Sequence, residues 1–367
     1  GVLSISRWTI GIHWWSVPFQ VALIVGLALS SYRWIETPLR NGNWFGKRWK
    51  TLLVGGGILI TLFGGLNAAK KPLRKLYLGS IQETGLEQLG IKSLLTTHKI
   101  LGTPGLWNGI DCVLSSNDQV GKKIDLKKCT LGNRETAEKH ILVIGDSTSA
   151  SFVQAFDKLV RDENISVSIT SSYGASPIPE IIAKQMQKSN KYYWEELIPL
   201  WFKELRDGDI VLVFNSYSYE HSGLLPREGT SDQLESLLYG IRNLQRTLSK
   251  NGVKLAFVNP LPPFEGTDCK PEYLFPPWFQ QFNNPKSCLV QNRTVALSRI
   301  QNLNDVFIKL KEENVIEVID LFHLFCPDTE CTYFSKDGSI LYRDKYRHPS
   351  VEAARLTAPY IKNILKK

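Results

Sequence analysis

The chain has 367 residues, of which 43% are hydrophobic, 22% charged and 11% aromatic. This composition excludes a disordered chain, a collagen-like repeat and a small disulfide-stabilised peptide. The formal charge of +9 is concentrated in residues 1–76, which hold ten Lys or Arg and a single acid, Glu36, so the rest of the chain is neutral overall. Because the excess positive charge flanks two apolar segments and forms no patch elsewhere, nucleic-acid binding is disfavoured.

The two apolar segments cover residues 14–32 and 51–69 and contain no charged side chain. Each is close to the ~20 residues that a helix needs to cross a bilayer. Tryptophans such as Trp14 and Trp34 lie at their ends, as is typical of membrane interfaces. We therefore predict two transmembrane helices within residues 1–76, in preference to two buried helices of a soluble protein. Because the sequence begins at Gly1, we expect it to be the C-terminal piece of a longer membrane protein.

All cysteines lie after the second apolar segment, and they form three near-neighbour pairs in the sequence. The simplest of the fifteen possible connectivities pairs neighbours, which would place residues 77–367 in an oxidising compartment and the loop between the helices in the cytoplasm. A zinc site is disfavoured and no metal is predicted, because no Cys-x-x-Cys occurs and His323 is the only histidine near a cysteine. The predicted disulfides are Cys112 with Cys129, Cys269 with Cys288, and Cys326 with Cys331.

Residues 77–138 show weak periodicity and are predicted to be an extracytoplasmic linker with short helices. From residue 139 onward, apolar runs typical of strands alternate with helical patterns, which predicts a parallel α/β sheet covered by helices on both faces. In such sheets, ligands bind at the carboxyl ends of the strands. The predicted strands cover 140–147, 165–172, 209–216, 254–262 and 316–325, and the predicted helices cover 152–160, 181–205, 232–249, 295–311 and 351–364.

The tripeptide Gly145-Asp146-Ser147 directly follows the first of these strands and precedes a helix. A serine on such a tight turn projects its hydroxyl over the sheet, as nucleophilic serines do. The alternative is that Asp146 or Ser147 only caps the helix. Asp344 and His348, just before the last helix, could supply the base and the orienting carboxylate that a serine nucleophile requires.

Together these motifs resemble the SGNH hydrolase superfamily, with Gly174 after the second strand and Asn215 after the third. The segment SYRWIETPLR, residues 31–40, resembles the end of the membrane domain of acyltransferase family three, which is found fused to an extracytoplasmic SGNH domain in bacterial glycan O-acyltransferases. The resemblance implies an SGNH-type, flavodoxin-like parallel sheet over residues 139–367, preceded by transmembrane helices.

Residue by residue, the resemblance implies that Ser147 is the nucleophile, His348 the general base and Asp344 its orienting acid. The amides of Ser147 and Gly174 and the side chain of Asn215 would form the oxyanion hole. Asp344 and His348 are one residue further apart than in the family's Asp-x-x-His motif, and we expect a bulge to absorb the extra residue.

The function that the resemblance implies is a membrane-bound O-acyltransferase, in particular an O-acetyltransferase, of the bacterial plasma membrane with its C-terminal domain in the periplasm. Its acceptor would be a cell-surface glycan such as lipopolysaccharide O-antigen, exopolysaccharide or peptidoglycan. Acetyl-CoA would donate the acyl group through the remaining transmembrane helices, and this segment would bind no cofactor itself. The alternatives are an extracytoplasmic carbohydrate esterase and a non-catalytic glycan-binding domain.

Other histidines and aromatic residues are expected to be structural. His140, His221 and His323 are predicted to be isolated surface or packed residues. Trp194 and Trp201 could stack on sugar rings, but core packing is the favoured interpretation.

Overall fold

The five apolar runs predicted as strands supply five strands of a six-stranded sheet in the computed structural model of the chain. The structure describes residues 17–37, 50, 57, 60, 61, 63, 64, 97–99, 106–218, 220–225, 232–263, 289–333, 335, 341–343 and 346–366. The strands are β1 Thr97–Lys99, β2 Leu106–Asn108, β3 Val113–Leu114, β4 Thr130–Leu131, β5 Lys139–Gly145, β6 Ile165–Ile169, β7 Ser171–Ser172, β8 Ile210–Phe214, β9 Lys254–Val258, β10 Leu289–Asn292, β11 Glu317–Ile319 and β12 Glu330–Thr332.

The strand order of the main sheet is β11-β9-β8-β5-β6-β4, and every neighbouring pair except β4 with β6 is parallel. After β4 at one edge, the chain forms β5 in the middle, moves to β6 on one side and then crosses to β8 on the other. This is the flavodoxin-like order, and the predicted fold class is therefore confirmed for the sheet. The order reverses between β5 and β8, which is where doubly wound sheets bind their ligands.

Helices fill the connections between the strands. They are α1 Val17–Ser31, α2 Gly109–Cys112, α3 Ser147–Ser151, α4 Val153–Asp162, α5 Gln187–Tyr192, α6 Ile198–Phe202, α7 Leu234–Ser249, α8 Arg293–Glu312, α9 Phe322–Phe325, α10 Val351–Leu356 and α11 Ala358–Lys362. π-Helical turns cover Tyr32–Glu36 and Tyr193–Leu197, and 3₁₀ turns cover Asn117–Gln119, Leu126–Cys129 and Asn363–Lys366.

The longer helices bury a single apolar stripe, as the helical period requires. In α8 the buried side chains recur every three or four residues, and in α7 they follow the same spacing. α4 packs against α10 and α11, whereas α7 packs against α8 and β9. Right-handed crossovers on either side of the reversed strand order put these two groups on opposite faces of the sheet. The buried residues of α8 are Ala296, Ile300, Leu303, Phe307 and Leu310.

Short strands that the sequence analysis did not predict come from the segment assigned as a linker. β4 extends the sheet beside β6, and β3 pairs with β7 in a separate two-stranded sheet. The disulfide between Cys112 and Cys129 ties this segment together. Two-residue strands carry no sequence period, so their positions follow from pairing with longer elements. The domain bounds expected from the sequence, 1–76, 77–138 and 139–367, remain a prediction.

By contacts, the chain divides into one unit of residues 1–86 and 272–284 and a second of residues 87–271 and 285–367. In the first unit, α1 covers most of the predicted segment 14–32, and its apolar side chains Phe19, Leu23 and Leu27 are exposed. Most of the segment 51–69 lies outside the described residues. Within the part of the chain that the structure describes, no helix is both long enough and apolar enough to cross a membrane.

Candidate active site

Ser147 lies at the turn between β5 and α3, at the point where the strand order reverses. Asp146 caps the helix by accepting a hydrogen bond from the Thr148 amide at 2.8 Å. Asp146 and Thr148 are buried, whereas Ser147 is partly exposed. Asp146 is therefore the capping residue, and Ser147 lies partly exposed at the carboxyl edge of the sheet.

Gly145 allows this turn to lie close to the neighbouring strand. Its φ is +147°, and a Cβ at this position would lie 1.9 Å from the Phe214 carbonyl oxygen in β8. Only glycine can occupy such a position without moving one of the two strands. The residues that follow the two strands, Asp146 and Ser147 on one side and Asn215 on the other, are thereby brought together.

His348 contacts Ser147 directly, although 201 residues separate them: its Nε2 lies 2.9 Å from the Ser147 Oγ. The ring is 6% exposed. Its backbone belongs to a hairpin, because the Arg343 amide donates to the His348 carbonyl and Tyr342 pairs with Pro349. The segment is thus not helical, as the proline following His348 requires.

Arg347, immediately before the histidine, has a positive φ of 67°. This left-handed residue is consistent with the predicted irregularity between Asp344 and His348. Asp344 itself lies outside the described residues, so its pairing with His348 stays a prediction.

A row of aromatic side chains supports the loops of the site. Phe152, which follows α3, stacks on Phe214 at 4.2 Å between ring centroids and meets Phe325 edge-on at 6.1 Å. Phe325 also packs on Tyr342, at the start of the His348 hairpin, at 5.2 Å. The four rings are fully or almost fully buried. They pack the segments that carry Ser147, Asn215 and His348 against one another.

The Asn215 side chain is held in one orientation by two backbone groups. Its Oδ1 accepts from the Tyr217 amide at 2.8 Å, and its Nδ2 donates to the Ala175 carbonyl at 2.7 Å. An amide N–H only donates and a carbonyl only accepts, so the positions of Nδ2 and Oδ1 are fixed. The second Nδ2 hydrogen is left over from this pairing, which suits an oxyanion-hole donor.

Gly174 directly precedes Ala175, whose carbonyl accepts the hydrogen bond from the Asn215 Nδ2. Gly174 and Asn215 are therefore close together. The φ of Gly174 is +64°, a left-handed conformation that glycine adopts without cost. The structure thus brings Ser147 and His348 into direct contact and places Gly174 next to the residue that Asn215 binds. Their catalytic roles are addressed below.

His221 is the site residue that the sequence analysis missed. Its Nδ1 lies 3.3 Å from the Ser216 Oγ, which donates to the Asp146 Oδ2 at 2.5 Å. Its Cδ2 lies 3.4 Å from the position that a Cβ on Gly174 would take. His221 is therefore a half-buried, packed residue that lies beside Ser216 and Gly174. No sequence motif marks it, because it lies in an irregular loop after Asn215.

The charges around Asp146 are partly buried. Burial lowers the pKa of the Arg347 guanidinium, and the nearby tyrosines, Asp146 and Glu220 act in the opposite direction. Burial also raises the pKa of Tyr217 well above its usual value, and Asp146 adds to this effect. The Tyr217 hydroxyl therefore stays protonated and donates to the Val258 carbonyl at 2.8 Å.

Two of the predicted disulfides are formed, Cys112 with Cys129 and Cys326 with Cys331. Cys269 and Cys288 lie outside the described residues.

In the described ranges, no group of three or more His, Cys, Asp or Glu side chains is arranged to hold a metal ion. Trp194 and Trp201 are packed in the core, 7% and 3% exposed, in agreement with the favoured interpretation.

A groove of about 380 Å³ lies between α6 and α7, lined by Trp194, Phe202 and Leu244 among others. None of Ser147, Asn215 and His348 lines it. A substrate carbonyl must lie within reach of the attacking oxygen, so this groove is not where acyl chemistry at Ser147 would occur.

The profile of a family described as "SGNH domain (fused to AT3 domains)" matches residues 111–363. Solved structures with a similar fold include the periplasmic domain of a lipopolysaccharide acetyltransferase from Salmonella ser. Paratyphi A, 14% identical over 70% of this chain and 92% of that one, with a TM-score of 0.48. A variant of an acetyl-xylooligosaccharide esterase from Geobacillus is 13% identical over 63% and 96% of the two chains, with a TM-score of 0.37.

A GDSL-like lipase from Bacteroides thetaiotaomicron is 14% identical over 62% and 88%, with a TM-score of 0.36. No curated protein sequence matches the chain.

Proposed function

The chain belongs to the family of SGNH domains fused to AT3 domains, and from this premise we propose that it is an O-acyltransferase that moves an acetyl group onto a carbohydrate hydroxyl through an acyl-enzyme at Ser147. The observation that carries the proposal is the 2.9 Å contact between the Ser147 Oγ and the His348 Nε2. This is the distance at which an imidazole can remove the proton of an attacking hydroxyl.

In the first half-reaction, the Ser147 Oγ attacks the carbonyl carbon of the acyl donor while its proton moves to the His348 Nε2. The tetrahedral intermediate then collapses, the bond to the leaving group breaks, and the imidazolium returns the proton to that group. Asp344 is proposed to hold the His348 ring in the tautomer that leaves Nε2 free to accept this proton.

The negative oxygen of the intermediate needs donors that are in place before the reaction. We assign this role to the remaining Nδ2 hydrogen of Asn215 and to the amides of Ser147 and Gly174. Asn215 is 2% exposed and anchored at both polar atoms, so it would not need to reorganise when charge develops.

The identity of the acceptor separates a transferase from an esterase with the same residues. The family's fusion to AT3 domains supports transfer, because a membrane domain that delivers acyl groups has no use in simple ester hydrolysis. In this proposal the acceptor is a hydroxyl of a cell-surface glycan, and acetyl-CoA is the original donor on the cytoplasmic side.

The proposed location is the bacterial plasma membrane, with residues 77–367 in the periplasm. The disulfides support it, because such bonds persist in oxidising compartments. The apolar segments 14–32 and 51–69 would provide the anchor, packed with the remaining transmembrane helices of the full-length protein.

Replacing Ser147 by alanine tests the proposal. With a chromogenic acetyl ester as donor and an oligosaccharide as acceptor, S147A should lower turnover at least about a thousandfold, as losses of triad residues do. Its melting temperature should stay close to that of the parent, because the hydroxyl is partly exposed. The matched control is S298A, which removes an exposed serine hydroxyl from α8.

The products distinguish transfer from hydrolysis in the parent chain. Acetylated oligosaccharide supports the transferase, whereas free acetate alone would show an esterase. Full turnover by S147A would overturn both.

A further inference from the structure

His221 occupies a place beside the proposed oxyanion hole that the triad mechanism does not use. Its Cδ2, the ring carbon bonded to Nε2, faces Gly174 at 3.4 Å from the position of a Cβ there. The side chain is half-buried, and its Nε2 makes no hydrogen bond to any residue that the structure describes. The side of the ring that carries Nε2 therefore lies next to Gly174, whose amide we assign to binding the reacting carbonyl oxygen.

The loop that carries His221 is rigidly built. Its second residue, Tyr217, has a positive φ of 53°, which is costly for a tyrosine and persists only when the surroundings impose it. The Tyr217 side chain is fully buried and its hydroxyl donates to the Val258 carbonyl. Backbone amides of His221, Ser222 and Gly223 all donate to the Ser218 carbonyl.

The His221 carbonyl also accepts from the Lys184 amide at 2.8 Å, which fastens the loop on its other side. A strained residue held by this many contacts is typical of functional sites. The loop therefore fixes the position of the His221 ring instead of leaving it mobile in solvent.

The hydrogen-bond chain determines which ring nitrogen carries the proton. Both oxygens of Asp146 receive backbone amides, from Thr148 and Ser216, so the group acts as an acceptor. The single hydroxyl hydrogen of Ser216 then points to the Asp146 Oδ2 at 2.5 Å. The Ser216 Oγ can only accept from the His221 Nδ1, which must therefore carry a hydrogen. In the neutral ring, Nε2 is left with a lone pair.

We propose that the His221 Nε2 binds one hydroxyl of the glycan acceptor, as an acceptor-positioning residue, and so orients a neighbouring hydroxyl of the same sugar toward the acyl group on Ser147. The inference rests on the proposed function, and it assigns a residue to binding the acceptor, a role that the mechanism above leaves open. An unprotonated imidazole nitrogen accepts hydrogen bonds, and a carbohydrate presents hydroxyl donors. Water could also bind to the His221 Nε2, but that contact orients an attacking hydroxyl only when the bound molecule carries a second hydroxyl.

In the step concerned, one acceptor hydroxyl oxygen attacks the acyl carbon on Ser147 and its proton moves to the His348 Nε2. The bond between the acyl carbon and the Ser147 Oγ breaks, and the imidazolium returns the proton to that oxygen. His221 exchanges no proton in this scheme. It holds a neighbouring hydroxyl of the same sugar, because the single hydrogen of the attacking hydroxyl is donated to His348.

The experiment compares H221F with the parent. Phenylalanine keeps a ring against Gly174 but has no nitrogen. The full chain is acetylated with a chromogenic acetyl ester, and the acetyl group is divided between water and the best acceptor from a panel of oligosaccharides. We expect the ratio of transfer to hydrolysis to fall about tenfold to a hundredfold, the effect of losing one hydrogen bond to a substrate.

Two further variants make the test specific. H221Q keeps an acceptor atom and should recover part of the ratio, and S216A, which frees the tautomer of His221, should lower it by a smaller factor. The matched control H323F changes an exposed histidine that packs on Tyr360, and should leave the ratio unchanged.

An unchanged ratio in H221F would overturn the proposal, as would an equal loss of acylation and transfer, which would show a merely structural role. An unaffected S216A would overturn the assigned hydrogen-bond chain. If the parent chain forms no acyl-enzyme at all, the proposed function fails together with this inference, whereas a normal acyl-enzyme with an unchanged ratio contradicts His221 alone.

Discussion

Asn215 is a proposed oxyanion-hole residue, and the structure shows what fixes its side chain. Both polar atoms are held by backbone groups, and one Nδ2 hydrogen takes part in neither bond. We propose that this hydrogen binds the oxyanion. We expect N215A to lower kcat by about a hundredfold to a thousandfold, the usual effect of removing one oxyanion-hole donor, with a smaller change in KM. Steady-state kinetics with an acetyl ester measures this. A loss confined to KM would show that Asn215 binds substrate without stabilising the transition state.

Asp344 and His348 are expected to act as a pair on the Ser147 hydroxyl. If Asp344 orients the imidazole, D344N should lower the rate by orders of magnitude through the wrong tautomer, and H348A should be nearly inactive. The comparison of the two rates decides the arrangement. Near-normal activity of D344N beside an inactive H348A would mean that another group orients the histidine. Activity in both variants would remove His348 as the base.

His221 shows why part of the site could not be predicted from the sequence. Ser147 and His348 were predictable because a strand-to-helix turn and a histidine before the last helix have sequence signatures. His221 reaches Gly174 through a loop that depends on the positive φ of Tyr217 and on the Asp146–Ser216 hydrogen bond. Contacts of this kind join residues whose sequence spacing carries no period, so they become visible only in the folded chain.

At the scale of elements, the contact between β5 and β8 depends on Gly145. A Cβ there would lie 1.9 Å from a backbone oxygen, and backbone cannot move aside as a flexible side chain can. We expect G145A to lower the free energy of unfolding by more than about 2 kcal/mol, a large value for one methyl group. Denaturant unfolding measures it.

The matched control is G208A. Gly208 also has a positive φ, +81°, but no atom lies within 4 Å of its Cβ position. It should therefore show only the conformational cost of about 1 kcal/mol. Equal effects of the two substitutions would mean that the close approach of the strands is not what requires Gly145.

His140 gives β5 a predictable response to acid. Its Nδ1 pairs with the Ser166 Oγ in β6, and burial lowers its pKa from 6.5 to about 3. Between these two values the unfolded chain binds a proton that the folded chain does not, so stability falls as the pH falls from about 6.5 toward 3. The slope is up to about 1.4 kcal/mol for each pH unit.

Unfolding experiments across this pH range should find a shallower acid dependence in H140Q than in the parent. The control H323Q removes an exposed histidine and should keep the parent's slope. The same slope in parent and H140Q would show that His140 is charged in the folded state or contributes nothing to acid sensitivity.

For the whole molecule, the order of strands and helices in residues 139–367 follows the alternation of apolar periods closely. Most strands begin within a residue or two of the predicted positions, and α7 and α8 match their predicted ranges within two residues at each end. The last predicted strand, 316–325, is instead the short β11 followed by α9, since a continuous apolar run does not by itself distinguish a strand from a buried helix.

The short strands β3 and β4 escaped prediction for a different reason, whereas β7 lies inside the predicted strand 165–172. Two residues are too few to show a period, and β3 and β4 directly follow Cys112 and Cys129, which the disulfide joins. Sequence therefore predicts the long elements of this fold and the residues at their ends, whereas the irregular connections follow from packing.

The central claim is that Ser147 carries the acyl group that passes to a glycan hydroxyl. Incubation of the full chain with an isotopically labelled acetyl ester, rapid quenching and peptide mass spectrometry locate that group directly, and a chase with oligosaccharide follows its fate. The account predicts one labelled acetyl on Ser147 that disappears as labelled acetylated sugar forms. Label on another residue, or label on Ser147 that the sugar never receives, would contradict it.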